Sequence, residues 1–110
     1  MSELRQITVT EVAALLDQGA VLIDVREPDE TQAGRAPQAQ LNPMQSFDLA
    51  EVPQDTPLLV ICHSGGRSQN VAMALLQRGY DATNVIGGMM AWAAAGLPVV
   101  NQHGQPGIVA

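Results

Sequence analysis

At 110 residues the chain has room for one domain, and a composition that is 46% hydrophobic but only 3% aromatic calls for a core of aliphatic side chains. The formal net charge is −6 and all five cations are arginines, which excludes a Schiff-base or phosphate-loop lysine and leaves no electrostatic footprint for nucleic acid or an anionic membrane. Cys62 is the one cysteine and His63 and His103 are the two histidines, so neither an internal disulfide nor a structural zinc site is expected. The polar start, Met1 to Gln6, does not read as a signal peptide, and no apolar run approaches membrane-spanning length. A cytoplasmic, reducing compartment is expected, where a single thiol stays free.

In chain order, Gln6 to Val9 predicts a short first strand. Thr10 is placed to cap a helix with Val12, Leu15 and Leu16 on one face and Gly19 as its left-handed stop. Val21 to Val25 follows as a near-continuous apolar strand, of the kind buried on both faces of a parallel sheet. Glu27 to Thr56 is less periodic and holds four prolines; it reads as a short helix, a brief strand near Ala39 to Leu41 and a helical turn near Ser46 to Val52. Leu58 to Ile61 is a second buried strand, then a helix with Val71, Ala72, Leu75 and Leu76 inward, ended by Gly79. Thr83 to Ile86 predicts another strand, and Gly87-Gly88 turns it into an alanine-rich helix through Trp92, closed by Gly96 and Pro98. Asn101 to Ala110, with Gly104, Pro106 and Gly107, reads as a loose tail. Alternating strands and helices argue for an α/β fold with a mainly parallel sheet, whose ligands bind beyond the carboxyl ends of the strands.

One such end is followed by Cys62-His63-Ser64-Gly65-Gly66-Arg67-Ser68. The two glycines let the backbone curl so that successive N–H groups point inward. Those donors, the start of the next helix and the Arg67 guanidinium all favour negative charge at the loop centre. A thiolate is stabilised there over a thiol, and the same cradle suits an anionic substrate or leaving group. An isolated cysteine is more often a small buried hydrophobe; the strand, the glycine turn, the arginine and the helix start together make Cys62 a nucleophile.

This loop resembles the active-site loop of single-domain rhodanese-like proteins. Val21-Leu22-Ile23-Asp24-Val25-Arg26-Glu27-Pro28 is similar to the family's earlier signature. Val85-Ile86-Gly87-Gly88-Met89-Met90-Ala91-Trp92, with Gly96-Leu97-Pro98-Val99 after it, is similar to the closing one. The resemblance implies one rhodanese-like domain over 1–100, built as a five-stranded parallel sheet with helices on both faces. It also implies sulfur transfer. The Cys62 thiolate attacks the outer sulfur of thiosulfate or a similar small anionic donor, and the persulfide passes its sulfur to cyanide or a thiol. No metal or organic cofactor is needed, since sulfur is the carried group. The chain departs from the family at Gly34-Arg35-Ala36-Pro37-Gln38-Ala39, where Gly-His-Ile-Pro-Gly-Ala is common, and at Thr31, near which an aromatic is common. Arg35 is a candidate for positive charge at the mouth.

Around the loop, Asp24 and Arg26 read as braces for neighbouring loops, with substrate binding as the alternative. His63 reads as an entrance side chain, because a thiolate in a backbone cradle needs no base. Ser64 and Ser68 read as partners for the sulfur or caps of the following helix, with the cap preferred for Ser68. Trp92 is expected in the core, His103 in solvent, and Met73, Met89 and Met90 as gap-fillers. Two other functions share the scaffold. A phosphatase or arsenate reductase uses a longer loop than the four residues between Cys62 and Arg67, and an aspartic acid for its leaving alcohol. A regulatory binding module, or a relay passing persulfide between proteins, is the other.

Overall fold

The computed structural model describes residues 3–110; Met1 and Ser2, part of the polar start read above, lie outside them. Five strands, β1 (Arg5–Ile7), β2 (Val21–Asp24), β3 (Gln40–Leu41), β4 (Leu58–Ile61) and β5 (Ala82–Val85), form one sheet in the order β1-β5-β4-β2-β3. Every strand pairing is parallel. The connections contain α1 (Val12–Asp17), α2 (Pro28–Ala33), α3 (Gly66–Gln77) and α4 (Gly88–Ala94), with 3-10 turns at Val9–Glu11, Met44–Ser46 and Leu49–Glu51.

Alternation along the strands divides the core in two. Leu22, Leu59, Ile61 and Val85 face Val12 of α1 and Met89 and Trp92 of α4. Ile23, Leu58, Val60 and Ala82 face Ala72 and Leu75 of α3. Burying one such aliphatic side chain contributes roughly 1.5–3 kcal/mol, so two filled faces hold the sheet with Trp92 as the one large buried aromatic. The alternation also aims the chemistry. Cys62 continues the Leu58–Val60 face and therefore points at α3.

The connection leaving β2 runs outward to β3, whereas the one leaving β4 runs the other way to β5. Adjacent strands whose connections diverge leave a crevice at their carboxyl ends. Asp24 closes β2 and Cys62 follows β4 at that crevice.

Apart from strand ends, where β1 is Arg5–Ile7 against the expected Gln6 to Val9 and β5 is Ala82–Val85 against Thr83 to Ile86, three local features differ from the sequence expectation. Thr8, rather than Thr10, opens the first helical turn: its amide donates to Glu11 Oε1 at 3.0 Å, a reciprocal cap that Thr10 lacks a partner to make. The turn near Ser46 to Val52 is two 3-10 turns, the second capped by Asp48, whose carboxylate accepts the Ala50 amide at 2.9 Å. The last ten residues are not loose. Gln102 N–H donates to the Gln32 carbonyl at 3.0 Å, Gly107 N–H to Val99 at 2.9 Å and Ile108 N–H to Ala33 at 3.0 Å. Val109 packs on the α1–α4 side of the core. This docking depends on Gly34 and Gly107, where any Cβ would collide with the Ile108 and Ala33 carbonyls respectively.

Candidate active site

Cys62 is 1% exposed, and its Sγ has two directly placed partners. The Gly65 N–H lies 3.1 Å away and the Ser68 Oγ 3.3 Å away. Gly65 reaches this position with φ +106°, in the left-handed region that only glycine enters at little cost. Burial pushes the thiol up and is the largest single influence on it. The Ser68 hydroxyl and the amides of Ser68, Gly65 and Ser64 together outweigh that effect and hold Cys62 below the ordinary thiol value.

The loop is also gripped from α4. Met89 N–H donates to the Cys62 carbonyl at 2.8 Å and Met90 N–H to the His63 carbonyl at 3.0 Å. Such close approach needs Gly88, where an added Cβ would lie 2.6 Å from the His63 oxygen, and where φ is +56°. The closing glycine pair thus supports the nucleophile loop as well as starting a helix.

The predicted residues fall into distinct places. Gly65 is buried, whereas Ser64 and Gly66 are exposed. Ser68 is 0% exposed inside the first turn of α3 and turns its hydroxyl to the sulfur, so the preferred cap reading is corrected; Gly65 holds the cap position instead. His63 is partly exposed, with Nδ1 buried and unpartnered. Asp24 and Arg26 are both 0% exposed and paired, with Arg26 Nη2 at 2.8 Å from Asp24 Oδ2 and 2.8 Å from the Gly34 carbonyl. They tie the end of β2 to the end of α2, as braces do, and leave Arg26 Nη1 buried without a partner.

Arg67 differs from its expected place. Its guanidinium is held in a two-pronged pair by Glu30 of α2, Nη1 to Oε1 at 2.7 Å and Nη2 to Oε2 at 2.8 Å. The Arg67 bond, partly opposed by burial, brings the Glu30 carboxyl down to about 2. A neutral pair, not a free cation, therefore borders the site. The sequence does not mark Glu30 as a site residue, because its partner is distant in the chain, although its place in the first turn of a Pro-started helix is a visible signal. Asn84 of β5 carries no such signal in the sequence: it is 1% exposed, accepts from Ser68 Oγ at 2.6 Å and donates to the Gly65 carbonyl at 3.3 Å.

Beyond the loop, Arg35 is bridged to Val100 through its backbone, Ala36 is fully buried and Gln38 is exposed. Trp92 is in the core with its Nε1–H donating to the Pro98 carbonyl at 2.8 Å, and Met89 is buried. Met73 and Met90 are exposed, so the gap-filling expectation holds for Met89 alone of the three.

A buried cysteine, its sulfur met by a loop amide and a serine hydroxyl, thus stands at the diverging point of a parallel sheet. Residues 8–95 match the rhodanese-like domain family, and the chain belongs to that family. It is 37% identical over 90 residues to a sulfurtransferase of Allochromatium vinosum, covering 79% of this chain and 84% of that one. A rhodanese-like domain protein from Staphylococcus aureus is 34% identical with a TM-score of 0.75, over 81% of this chain and 91% of that one. A thiosulfate sulfurtransferase from Pseudomonas aeruginosa is 28% identical with a TM-score of 0.73; the match takes in 97% of this chain but 22% of that longer protein.

Proposed function

We propose that the protein is a sulfurtransferase that carries sulfane sulfur on Cys62. The observation that carries this reading is the tight ring around the sulfur, with Gly65 N–H and Ser68 Oγ within 3.3 Å of Sγ. The Cys62 thiolate attacks the outer sulfur of thiosulfate or a similar anion. A new S–S bond forms, the bond to the inner sulfur breaks, and sulfite leaves with the electron pair. A thiolate or cyanide then attacks the outer sulfur of the persulfide and restores the Cys62 thiolate. The charge on the terminal sulfur is stabilised by loop donors already in place. No metal or organic cofactor enters these steps.

Ring size favours sulfur over phosphorus as the transferred atom. With four residues between Cys62 and Arg67 the loop brings the Gly65 amide to 3.1 Å from Sγ, and the 1% exposure of Cys62 suits a slim terminal sulfur. A phosphoryl group needs room and a donor for each of three oxygens. A relay that hands sulfur to a protein thiol is the second reading, favoured by Met90: its amide holds the His63 carbonyl while its side chain is 54% exposed beside the loop. Either setting is consistent with a cytoplasmic protein, and among the described residues no helix is long and apolar enough to cross a membrane.

The test is intact-mass measurement after exposure to thiosulfate, with and without reductant. A reducible one-sulfur adduct on the natural chain, absent from Cys62→Ser, is expected, together with sulfite release when cyanide is added. Efficient aryl-phosphate hydrolysis with no such adduct would overturn the reading.

A further inference from the structure

The two groups that touch the Cys62 sulfur are both held from behind by one side chain on a different strand. Asn84 Oδ1 lies 2.6 Å from Ser68 Oγ, and Asn84 Nδ2 lies 3.3 Å from the Gly65 carbonyl. Asn84 is itself fixed by Gln6 of β1, whose Oε1 accepts from Nδ2 at 3.0 Å. Both Nδ2 contacts are acceptors, so Nδ2 is the amide nitrogen and Oδ1 faces Ser68. Ser68 must then be the donor in the 2.6 Å bond.

A hydroxyl has one proton. When Cys62 is a thiol, the three side chains Cys62, Ser68 and Asn84 satisfy one another: S–H donates to Ser68 Oγ, and Ser68 O–H donates to Asn84 Oδ1. When the thiol proton leaves to solvent, the Ser68 proton has two acceptors to choose between. Turning to the thiolate leaves Asn84 Oδ1 buried without a donor. Staying on Oδ1 leaves the sulfur with the loop amides alone. Leaving a buried acceptor unmet is unfavourable, so the acceptor on β5 opposes ionisation of the nucleophile.

We infer that Asn84 is a positioning residue that governs which way the Ser68 hydroxyl points, and through it how readily Cys62 gives up its proton. The inference rests on Cys62 as the reacting group of the proposed function and adds the device that regulates it. The carbonyl of Gly65 keeps a second donor, the Gln69 amide at 3.2 Å, so loss of the Asn84 amide leaves the loop turn tied.

The charged and titratable groups around Cys62 come from elsewhere. Asp24 ends β2 and is paired with Arg26 two residues beyond it, Glu30 of α2 is paired with Arg67 of α3, and His63 is the next residue in the loop. Strand β5 and helix α4 contribute none. Neither ion pair includes position 84, so Asn84→Leu is read against an unaltered charge background, whereas Asn84→Asp adds one carboxylate to it.

The test is the rate of Cys62 alkylation by iodoacetamide as a function of pH, which needs no sulfur donor. Asn84→Leu removes the competing acceptor and frees the Ser68 proton for the thiolate; its rate at pH 6 should rise about tenfold. Asn84→Asp strengthens the acceptor and adds charge; its rate at pH 6 should fall about tenfold or more. Ser68→Ala should lower the rate, and in that background Asn84→Leu should no longer raise it. Circular dichroism confirms that each variant is folded, and the Asp and Ser68 variants carry the test if the Leu variant is not. A packing role alone moves both Asn84 variants in the same direction, or leaves the Leu effect intact in Ser68→Ala; either result overturns the inference. The alkylation result stands whether or not a persulfide forms, so failure here and failure of the sulfurtransferase reading are seen separately.

Discussion

Glu30 and Arg67 show how one contact changes the meaning of a residue. The pair is partly exposed, with side-chain accessibilities of 35% for Arg67 and 20% for Glu30, so water screens it and its contribution is about 1 kcal/mol. Its sign follows from a carboxyl lowered from 4.5 to about 2 in the folded chain. That stability is present above the unfolded value and is lost as pH falls through the folded one. Urea unfolding at pH 6 and pH 3 should therefore show a smaller acid loss in Glu30→Gln than in the natural chain; equal losses would contradict the pairing. The Asp24–Arg26 pair is another matter, because both side chains are 0% exposed. Arg26→Met leaves a carboxylate buried alone and should cost roughly 3–5 kcal/mol, while Asp24→Leu combined with Arg26→Met should recover most of it. Denaturant midpoints of the single and double variants check this. At this scale the sequence is legible where neighbours decide the outcome, as for Cys62 and Gly65. It is silent where a partner lies far along the chain, as Glu30 is from Arg67 and Asn84 from Ser68.

Among the elements, α4 links the closing signature to the nucleophile. Gly79 and Gly88 both have positive φ, at +90° and +56°, but only Gly88 is crowded. Gly79 has nothing within 4 Å of an added Cβ, whereas Gly88 meets the Cys62 and His63 carbonyls. Alanine in a left-handed position costs on the order of 1–2 kcal/mol in either place. Only Gly88→Ala should also push the loop off its α4 amides. We expect both variants to lose stability, Gly79→Ala to keep its rate of persulfide formation and Gly88→Ala to lose at least about tenfold. Equal rates in the two would mean that α4 does not support the loop. That Leu58 to Ile61 is a buried strand leading into Cys62 is readable, as are the glycine stops; the face that Cys62 takes is not, because all four strand residues are apolar. The exact start of α1 was not, because Thr8 and Thr10 are equally good caps until Glu11 selects one of them.

At the scale of the whole molecule, the sheet order puts the β2–β4 crevice at the site, and the last ten residues fasten the chain beside it. Their reading as a loose tail followed from composition alone: no period of 2 or 3.6 runs through Asn101 to Ala110. What holds them is a non-local fit, two glycines brought together at the end of α2, and that fit has no sequence periodicity. The bonds at Gln102 and Ile108 end on the carbonyls of Gln32 and Ala33, so the tail stiffens the helix that carries Glu30. A chain truncated after Asn101 loses those two bonds, the Gly107 bond to Val99 and the packing of Val109. With net values near 1 kcal/mol for each bond and part of that offset by the entropy the tail regains, the loss should be roughly 2 kcal/mol, a fall in Tm of about 8 °C. Gly107→Val, which sets a side chain against the Ala33 carbonyl, should reproduce much of that fall without shortening the chain. Persulfide formation at room temperature should survive in both, since the Cys62 loop is held by α3 and α4 rather than by the tail. Melting curves followed by circular dichroism decide the matter. Unchanged Tm values in both variants would return 101–110 to the loose tail that composition suggests.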